Sequence, residues 1–287
     1  METKVMNKMR LNRALSFLVT LLFVQPLSAA PDPNFHIYLL LGQSNMEGAA
    51  PIESQDLALY PRVQVLQDAN CETSTPYGQW RAATPPLIRC GGKDFGLGPG
   101  DTFGKAMAEA AEDNVTIGLV GGAYGGAKIE YFLKNCSSYD ACKPPFGDIS
   151  GAPNNGNSGG YLWVLELAKK AQEVGVIKGF IFHQGESNNG QSTWPTLVNE
   201  FVSDLRKDLG LIPEDVPFIA GELPYTGCCS GHNKLIAQIP NMIVNGHIVT
   251  AEGGLTDKGD HLHWNSAAVR EMGRRYAAKM QAVSHAR

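Results

Sequence analysis

Short, uninterrupted apolar runs alternate with helical patterns along most of the chain, and this alternation constrains the fold more than any other feature. The clearest run, FHIYLLL at 35–41, has the length of a strand and no polar alternation. It therefore predicts a strand buried on both faces. Similar runs lie at 63–66, 115–120, 177–182, 216–220 and 248–251. Helical patterns lie at 102–112, 161–174, 195–209, 235–239 and 266–281.

Buried strands that alternate with helices are typical of a parallel sheet covered by helices on both sides. We predict a single α/β domain over 31–287 with three α/β/α layers and about five strands, because no repeat or composition break marks a linker. In such folds ligands bind at the carboxyl ends of the strands. The polar residues that follow each strand are therefore the first candidates for chemistry.

Residues 1–30 have the pattern of a secretory signal peptide. Basic residues precede a largely apolar run at 14–24, and Ser28-Ala29-Ala30 offers small residues for cleavage. The run is shorter than the ~20 residues that span a bilayer, so we expect cleavage and a secreted or periplasmic protein; an uncleaved membrane anchor is the alternative. Cleavage removes four positive charges and one negative charge, so the net charge of −4 becomes −7. We expect such an acidic chain to bind neither nucleic acid nor an anionic membrane.

The six cysteines agree with export, because disulfides are the default pairing outside the cytosol. None forms a CxxC pair, and no zinc-finger spacing is present. We expect Cys71 to pair with Cys90 and Cys136 with Cys142, each bond closing a short loop. The adjacent Cys228-Cys229 forms a vicinal bridge or pairs elsewhere.

A serine follows the first predicted strand, in Gly42-Gln43-Ser44-Asn45-Met46. If a helix begins there, its free N–H groups lie beside the serine oxygen and can hold an oxyanion. Ser44 is accordingly either a nucleophile or a plain helix N-cap. The glycines of 121–126 follow a later strand, and they either offer N–H donors to a ligand or form a tight turn.

Two further polar segments follow predicted strands. In HQGESN at 183–188, Gln184 can donate its amide to an oxyanion and Glu186 can orient a histidine; the alternative is a solvated loop. In DHLH at 260–263, Asp260 can accept a hydrogen bond from the Nδ1–H of His263, which leaves Nε2 free to take a proton from a serine.

A metal site is the competing interpretation of the second segment. His261 and His263 alternate as in some zinc enzymes, and Asp260, Glu186 or His183 would supply a third ligand.

Four motifs occur in this order along the chain: GQSNM at 42–46, GLGPG at 96–100, HQGES at 183–187 and DHLH at 260–263. Together they resemble the SGNH hydrolase superfamily, specifically carbohydrate esterase family six and the related sialate O-acetylesterase domain, over about 35–280. The resemblance implies a flavodoxin-like three-layer fold and serine hydrolysis of acetyl esters on sugars, without a metal or organic cofactor.

The resemblance also implies residue roles. Ser44 corresponds to the nucleophile and His263 to the general base. Asp260 corresponds to the orienting acid, and Glu186 is the alternative acid. The expected oxyanion donors are Ser44, Gly125, Gly126 and Gln184, the last standing where many relatives carry Asn. His261 is expected to be a pocket or surface residue.

Aromatic residues near these motifs are candidate stacking surfaces for a sugar ring, although core or rim packing is the favoured interpretation. The candidates are Tyr124, Trp163, Tyr225 and Trp264, of which Trp264 adjoins His263. We predict an exported serine esterase that deacetylates a carbohydrate, with acetylated xylan as the first substrate and O-acetyl sialate as the second. The competing classes are a metal-dependent hydrolase and a non-catalytic carbohydrate-binding protein.

Overall fold

The computed structural model describes Met1 and residues 30–71, 75–91, 95–136 and 140–284. The predicted leader lies outside the described residues, apart from its two end residues. The strands are β1 (Phe35–Gly42), β2 (Val63–Leu66), β3 (Trp80–Ala82), β4 (Thr116–Ala123), β5 (Val176–His183), β6 (Phe218–Gly221) and β7 (Gly246–Val249). The helices are α1 (Ser44–Glu47), α2 (Pro99–Ala110), α3 (Gly160–Gln172), α4 (Trp194–Asp208), α5 (Asn233–Ile236), α6 (Ile239–Met242) and α7 (Ser266–Ser284).

The strands form one sheet in the order β3-β2-β4-β1-β5-β6-β7. All neighbours are parallel except β3, which pairs antiparallel with β2. The α/β class and the layers agree with the prediction, and the strand count of about five is corrected to seven. The strand β3 has only three residues, too few for a periodic signal, and it exists because β2 offers it an edge for pairing.

The alternation of side chains along β1 divides the core between the two faces of the sheet. Leu39 and Leu41 face one cluster, which contains buried residues of α3 and α4. Tyr38 and Leu40 face the other, which contains buried residues of α2 and α7. Burial on both faces is the physical reason that β1 is a continuous apolar run.

The central strands end level with one another. The register pairs Gly42 of β1 with Ala123 of β4 and with His183 of β5. Gly42 has φ +140°, and a Cβ there would lie 2.0 Å from the carbonyl oxygen of His183. Only glycine fits, and the chain turns at once into α1. The loops after these three strands therefore meet at one edge of the sheet.

Three disulfides close loops on this framework. Cys71 pairs with Cys90 and Cys136 with Cys142, as expected from the sequence, and Cys228 pairs with its neighbour Cys229. None of the helices in the described ranges combines the length and apolarity needed to cross a bilayer.

Candidate active site

Ser44 lies at the centre of the edge where the strands end. It is the first residue of α1, and Gln43 occupies the cap position without a side-chain cap bond. The Ser44 hydroxyl is therefore not used as an N-cap. Its Oγ lies 2.9 Å from Nε2 of His263, although 219 residues separate the two.

Asp260 holds the opposite side of the His263 ring. Its Oδ2 lies 2.8 Å from Nδ1 of His263, and its Oδ1 accepts the backbone N–H groups of Leu262 and His263 at 3.0 and 2.8 Å. Desolvation opposes ionisation of Asp260, but these hydrogen bonds outweigh it, and the pKa of the carboxyl lies well below its usual range. An ionised Asp260 keeps the ring proton on Nδ1, so Nε2 is free to accept the Ser44 proton.

The neighbouring His261 does not join this arrangement. Its side chain is 80% exposed, and its Nδ1 lies 3.8 Å from Asp257. His261 thus occupies the surface position expected of it. Within the described ranges, no three His, Cys, Asp or Glu side chains come together as a metal-ligand set. The geometry therefore gives the metal-site interpretation no group of ligands.

Glu186, the alternative acid, does not reach His263. Its Oε1 accepts a hydrogen bond of 2.7 Å from the Asn45 side chain and lies 3.6 Å from Nε2 of His183. Burial opposes ionisation of Glu186, but the adjacent His183 ring and the hydrogen bond from Asn45 outweigh this effect, so the pKa of Glu186 is lowered. Assigning Glu186 as the acid that contacts the His263 imidazole is wrong, because the Glu186 carboxylate pairs with Asn45 after the turn at Gly185.

The expected side-chain oxyanion donor, Gln184, is also corrected. It is 1% exposed, and its amide donates to Oε1 of Gln43 at 3.1 Å and to the carbonyl of Ala127 at 3.2 Å. Its oxygen accepts the Trp194 indole N–H. Gln184 therefore ties the loops together beneath the site and has no donor left for a ligand.

The expected backbone donors lie close to Ser44. A Cβ on Gly125 would lie 3.7 Å from Cβ of Ser44. The Gly125 N–H donates to the carboxylate of Glu47. The Ser44 N–H opens a helix, where the first N–H groups have no intrahelical acceptor. Gly126, the other expected donor, lies under the ring of Phe146.

Three of the four proposed aromatic surfaces are core residues. Tyr124, Trp163 and Trp264 are each 0% exposed. The favoured interpretation of core packing is confirmed for these three, and the stacking role suggested for Tyr124 and Trp264 is wrong. Tyr225 is 44% exposed, and its hydroxyl donates to Glu222 at 3.1 Å. Burying an aromatic ring removes more apolar area from water than a surface position would.

Sequence reasoning missed a charged pair beside Ser44. Oε1 of Glu47 accepts from Nη1 of Arg89 at 2.9 Å, and the Arg89 guanidinium lies 3.9 Å from the Tyr124 ring centroid. Burial raises the pKa of Glu47, and the charge of Arg89 offsets part of that shift. No spacing pattern indicated Arg89, because the loop that carries it is irregular.

It also missed Phe146, which is 75% exposed. A Cβ on Gly126 would lie 2.8 Å from this ring, and the hydroxyl of Tyr124 donates to the next carbonyl, that of Gly147, at 2.7 Å. An exposed aromatic ring therefore stands at the rim of the site, where the prediction had expected Tyr124 and Trp264.

Comparison with known proteins gives a consistent result. The family model described as carbohydrate esterase, sialic acid-specific acetylesterase matches residues 34–282. A probable carbohydrate esterase of Arabidopsis thaliana is 26% identical over 271 residues, covering 87% of this chain and 91% of its own length.

Solved structures share the fold. NanS has a TM-score of 0.68 at 16% identity, covering 89% of this chain and 99% of its own. An Arabidopsis thaliana protein has a TM-score of 0.67 at 24% identity, covering 88% and 99%. A carbohydrate acetylesterase from Xanthomonas citri has a TM-score of 0.58 at 18% identity, covering 88% and 57%.

Proposed function

This chain belongs to the carbohydrate esterase family of sialic acid-specific acetylesterases, and we propose on that premise that it removes O-acetyl groups from carbohydrates through an acetyl-Ser44 intermediate. One observation carries the proposal. The Ser44 hydroxyl, the His263 ring and the Asp260 carboxylate form a continuous hydrogen-bonded chain with contacts of 2.9 and 2.8 Å. A nucleophile, its base and an orienting acid in this geometry are what acyl transfer requires.

The reaction proceeds in two halves. His263 takes the Ser44 proton as the oxygen attacks the acetyl carbonyl, and Asp260 stabilises the imidazolium that forms. The Ser44 N–H binds the oxyanion together with the Gly125 N–H, which must first leave the Glu47 carboxylate. One such donor contributes about 3 kcal/mol in the transition state. His263 then gives its proton to the sugar oxygen as the C–O bond breaks, so the sugar leaves as a free hydroxyl. Water releases acetate from Ser44 by the reverse sequence.

The sugar is either neutral or acidic, and the position of Arg89 bears on which of the two it is. Acetylated xylan is the neutral candidate. An O-acetylated sialic acid is the acidic candidate, and the guanidinium of Arg89, which stands beside Glu47 near the nucleophile, favours it. Arginine is suited to carboxylates because its planar group donates two parallel hydrogen bonds.

We also propose that the protein is exported. The leader pattern at 1–30 and the three disulfides support this, because disulfides persist mainly in oxidising compartments.

Acetate release from acetyl-xylan and from O-acetyl sialic acid tests the proposal, with Ser44→Ala and His263→Ala as controls. We expect release by the wild type, its persistence in EDTA and its loss in both variants. Release that survives in Ser44→Ala contradicts the acetyl-serine route. No hydrolysis of the two sugars or of p-nitrophenyl acetate leaves the non-catalytic binding protein as the explanation.

The Arg89→Met variant tests the sugar class. If the substrate is acidic, this variant loses activity on the sialate and keeps its activity on p-nitrophenyl acetate. Equal losses on both substrates mean that Arg89 has no role in recognising a carboxylate.

A further inference from the structure

One buried amide connects the two halves of the candidate active site. Asn45 directly follows Ser44 in α1 and is 1% exposed. Its Nδ2 donates to the carbonyl of Leu262 at 3.2 Å, and its Oδ1 accepts the backbone N–H of Trp264 at 3.1 Å. Asn45 therefore holds the main chain on both sides of His263.

The segment that carries His263 is irregular, and besides Asn45 it is joined to neighbouring loops by Lys258, which donates to the Ala49 carbonyl, and by the His261 carbonyl, which accepts from the Cys228 N–H. Residues 252–263 contain no helix or strand and are largely exposed. Loops with exposed backbone are the parts of a protein that open most readily. The bonds to Asp260 lie within the same loop, so they orient the ring within the loop but do not fix the loop relative to Ser44.

Glu186 adds a third contact that fixes which way the Asn45 amide points. An ionised carboxylate only accepts hydrogen bonds, so its 2.7 Å contact fixes the NH₂ end of Asn45 towards it. The same NH₂ group then reaches the Leu262 carbonyl, and the oxygen of the amide is left for the Trp264 N–H. With the amide reversed, its oxygen would face the Leu262 carbonyl and its NH₂ group would face the Trp264 N–H, so neither hydrogen bond would form.

The buried ring of His183 lies behind Glu186. His183 is fully buried, with its Nε2 3.6 Å from Glu186 and its ring 4.5 Å from that of Trp264. The Tyr276 hydroxyl donates to the Phe182 carbonyl at 2.8 Å, so at 3.3 Å its oxygen accepts from Nδ1–H of His183. The chain of contacts thus runs from α7 through β5 to the nucleophile turn.

We propose that Asn45 and Glu186 are positioning residues, which together fix the imidazole of His263 against the hydroxyl of Ser44. Glu186 orients the amide of Asn45, and that amide holds the peptide groups on either side of His263. This inference rests on the proposed function. It gives Glu186 a role in catalysis that needs no contact with the imidazole.

The test compares kcat, KM and the pH profile of p-nitrophenyl acetate hydrolysis among variants. We expect Asn45→Ala and Glu186→Ala to lower kcat by about 10²-fold, the loss that follows a displacement of about 1 Å. KM and the acidic limb of the pH–rate profile stay unchanged, because His263 keeps its hydrogen bond with Asp260. Glu186→Gln retains an oxygen that accepts from Asn45 and restores most of kcat.

Two matched controls measure the cost of losing a buried polar group elsewhere. Asn233 brackets the backbone of Leu223 with two hydrogen bonds of 2.8 and 3.1 Å, much as Asn45 brackets His263. Glu222 is a buried carboxylate that accepts from Thr250 and Ala251. Asn233→Ala and Glu222→Ala should match the test variants in loss of melting temperature and keep kcat near the wild-type value.

The outcomes separate cleanly. If Asn45→Ala does not fold, Asn45→Asp replaces it, because it keeps the acceptor for Trp264 and loses both donors; the same fall in kcat is expected. Test variants that match their controls in kcat overturn the inference. The inference is also overturned if Glu186→Gln has a kcat as low as that of Glu186→Ala and a shifted acidic limb of the pH–rate profile. That result would mean that the charge of Glu186 is required and not its hydrogen bond. Wild-type activity that is absent or independent of Ser44 is instead a failure of the proposed function.

Discussion

Replacing Asp260 by asparagine tests the candidate triad most directly. The amide oxygen in the Asp260→Asn variant can still accept the backbone N–H groups of Leu262 and His263, so the loop keeps its shape. The NH₂ group, however, takes the place of Oδ2, which lies 2.8 Å from Nδ1 of His263. Facing a donor, Nδ1 becomes the acceptor and the ring proton moves to Nε2, where it blocks proton transfer from Ser44.

The size of the loss follows from two terms. A hydrogen bond to a charged group contributes about 1.5–3 kcal/mol, which corresponds to about a 10- to 150-fold loss of rate. The wrong tautomer adds to this, and the same change at a buried triad aspartate costs about 10⁴-fold. The Asp260 side chain is 36% exposed, so water replaces part of its effect. We therefore expect kcat to fall by about 10²- to 10³-fold.

Steady-state hydrolysis of p-nitrophenyl acetate measures this loss. Asp257→Asn is the matched control, because Asp257 also accepts backbone N–H groups of this loop, those of Gly259 and His261, and makes no hydrogen bond with His263. It should keep kcat near the wild-type value, because its oxygens contact the loop backbone and not the His263 ring. Equal losses in the two variants would refute the assignment of Asp260 as the orienting acid.

The remaining predictions concern the rim and the buried charges. Phe146→Ala should raise KM several-fold for an acetylated oligosaccharide and leave p-nitrophenyl acetate hydrolysis unchanged, because only the sugar needs the exposed ring; Leu162→Ala on α3 is the control. Glu47→Ala should raise kcat about fivefold on the small ester, since displacing its bond to the Gly125 N–H costs about 1 kcal/mol. Burial raises the pKa of Asp68 to about 7. A carboxyl whose pKa is higher in the folded state destabilises that state as pH rises from about 4 to 7, so Asp68→Asn should add up to about 4 kcal/mol to the free energy of unfolding at pH 8 and progressively less towards pH 4.

Each of these has a contrary outcome. Equal KM changes in the Phe146 and Leu162 variants would remove the sugar-contact role of the ring. A lower kcat in Glu47→Ala would mean that the carboxylate supports the Gly125 N–H instead of competing for it. Urea unfolding at pH 5 and 8 measures the Asp68 effect, and a gain that is the same at both pH values would contradict the ionisation argument.

The framework was predictable because its signals are local. An apolar run without alternation indicates a strand covered on both faces, so β1, β4 and β5 were recognisable from their own residues. Ser44 and the DHLH segment were found because each follows a strand and belongs to a motif. The short β3 was missed because its pairing with β2, and not its sequence, makes it a strand.

The direction of each side chain at the strand ends was not predictable from the same signals. Gln184 and Glu186 lie in one polar motif, yet the turn at Gly185 directs Gln184 to Gln43 and Trp194 and Glu186 to Asn45. Tyr124 and Phe146 are both aromatic, yet one is buried under Arg89 and the other is exposed. Burial depends on the loops that pack above a residue, which its neighbours in sequence do not specify.

By itself, the sequence determined the alternation of strands and helices and the residue types that the loops bring to the sheet edge. Hydrophobic periodicity and turn chemistry act over a few residues, so they do not depend on how the rest of the chain folds. Only the tertiary structure decided that Asn45 forms hydrogen bonds with the main chain on both sides of His263 and that Glu47 accepts the Gly125 N–H. Such contacts form between residues as far as 219 positions apart, and they arise from the register of the sheet, which is a property of the whole fold.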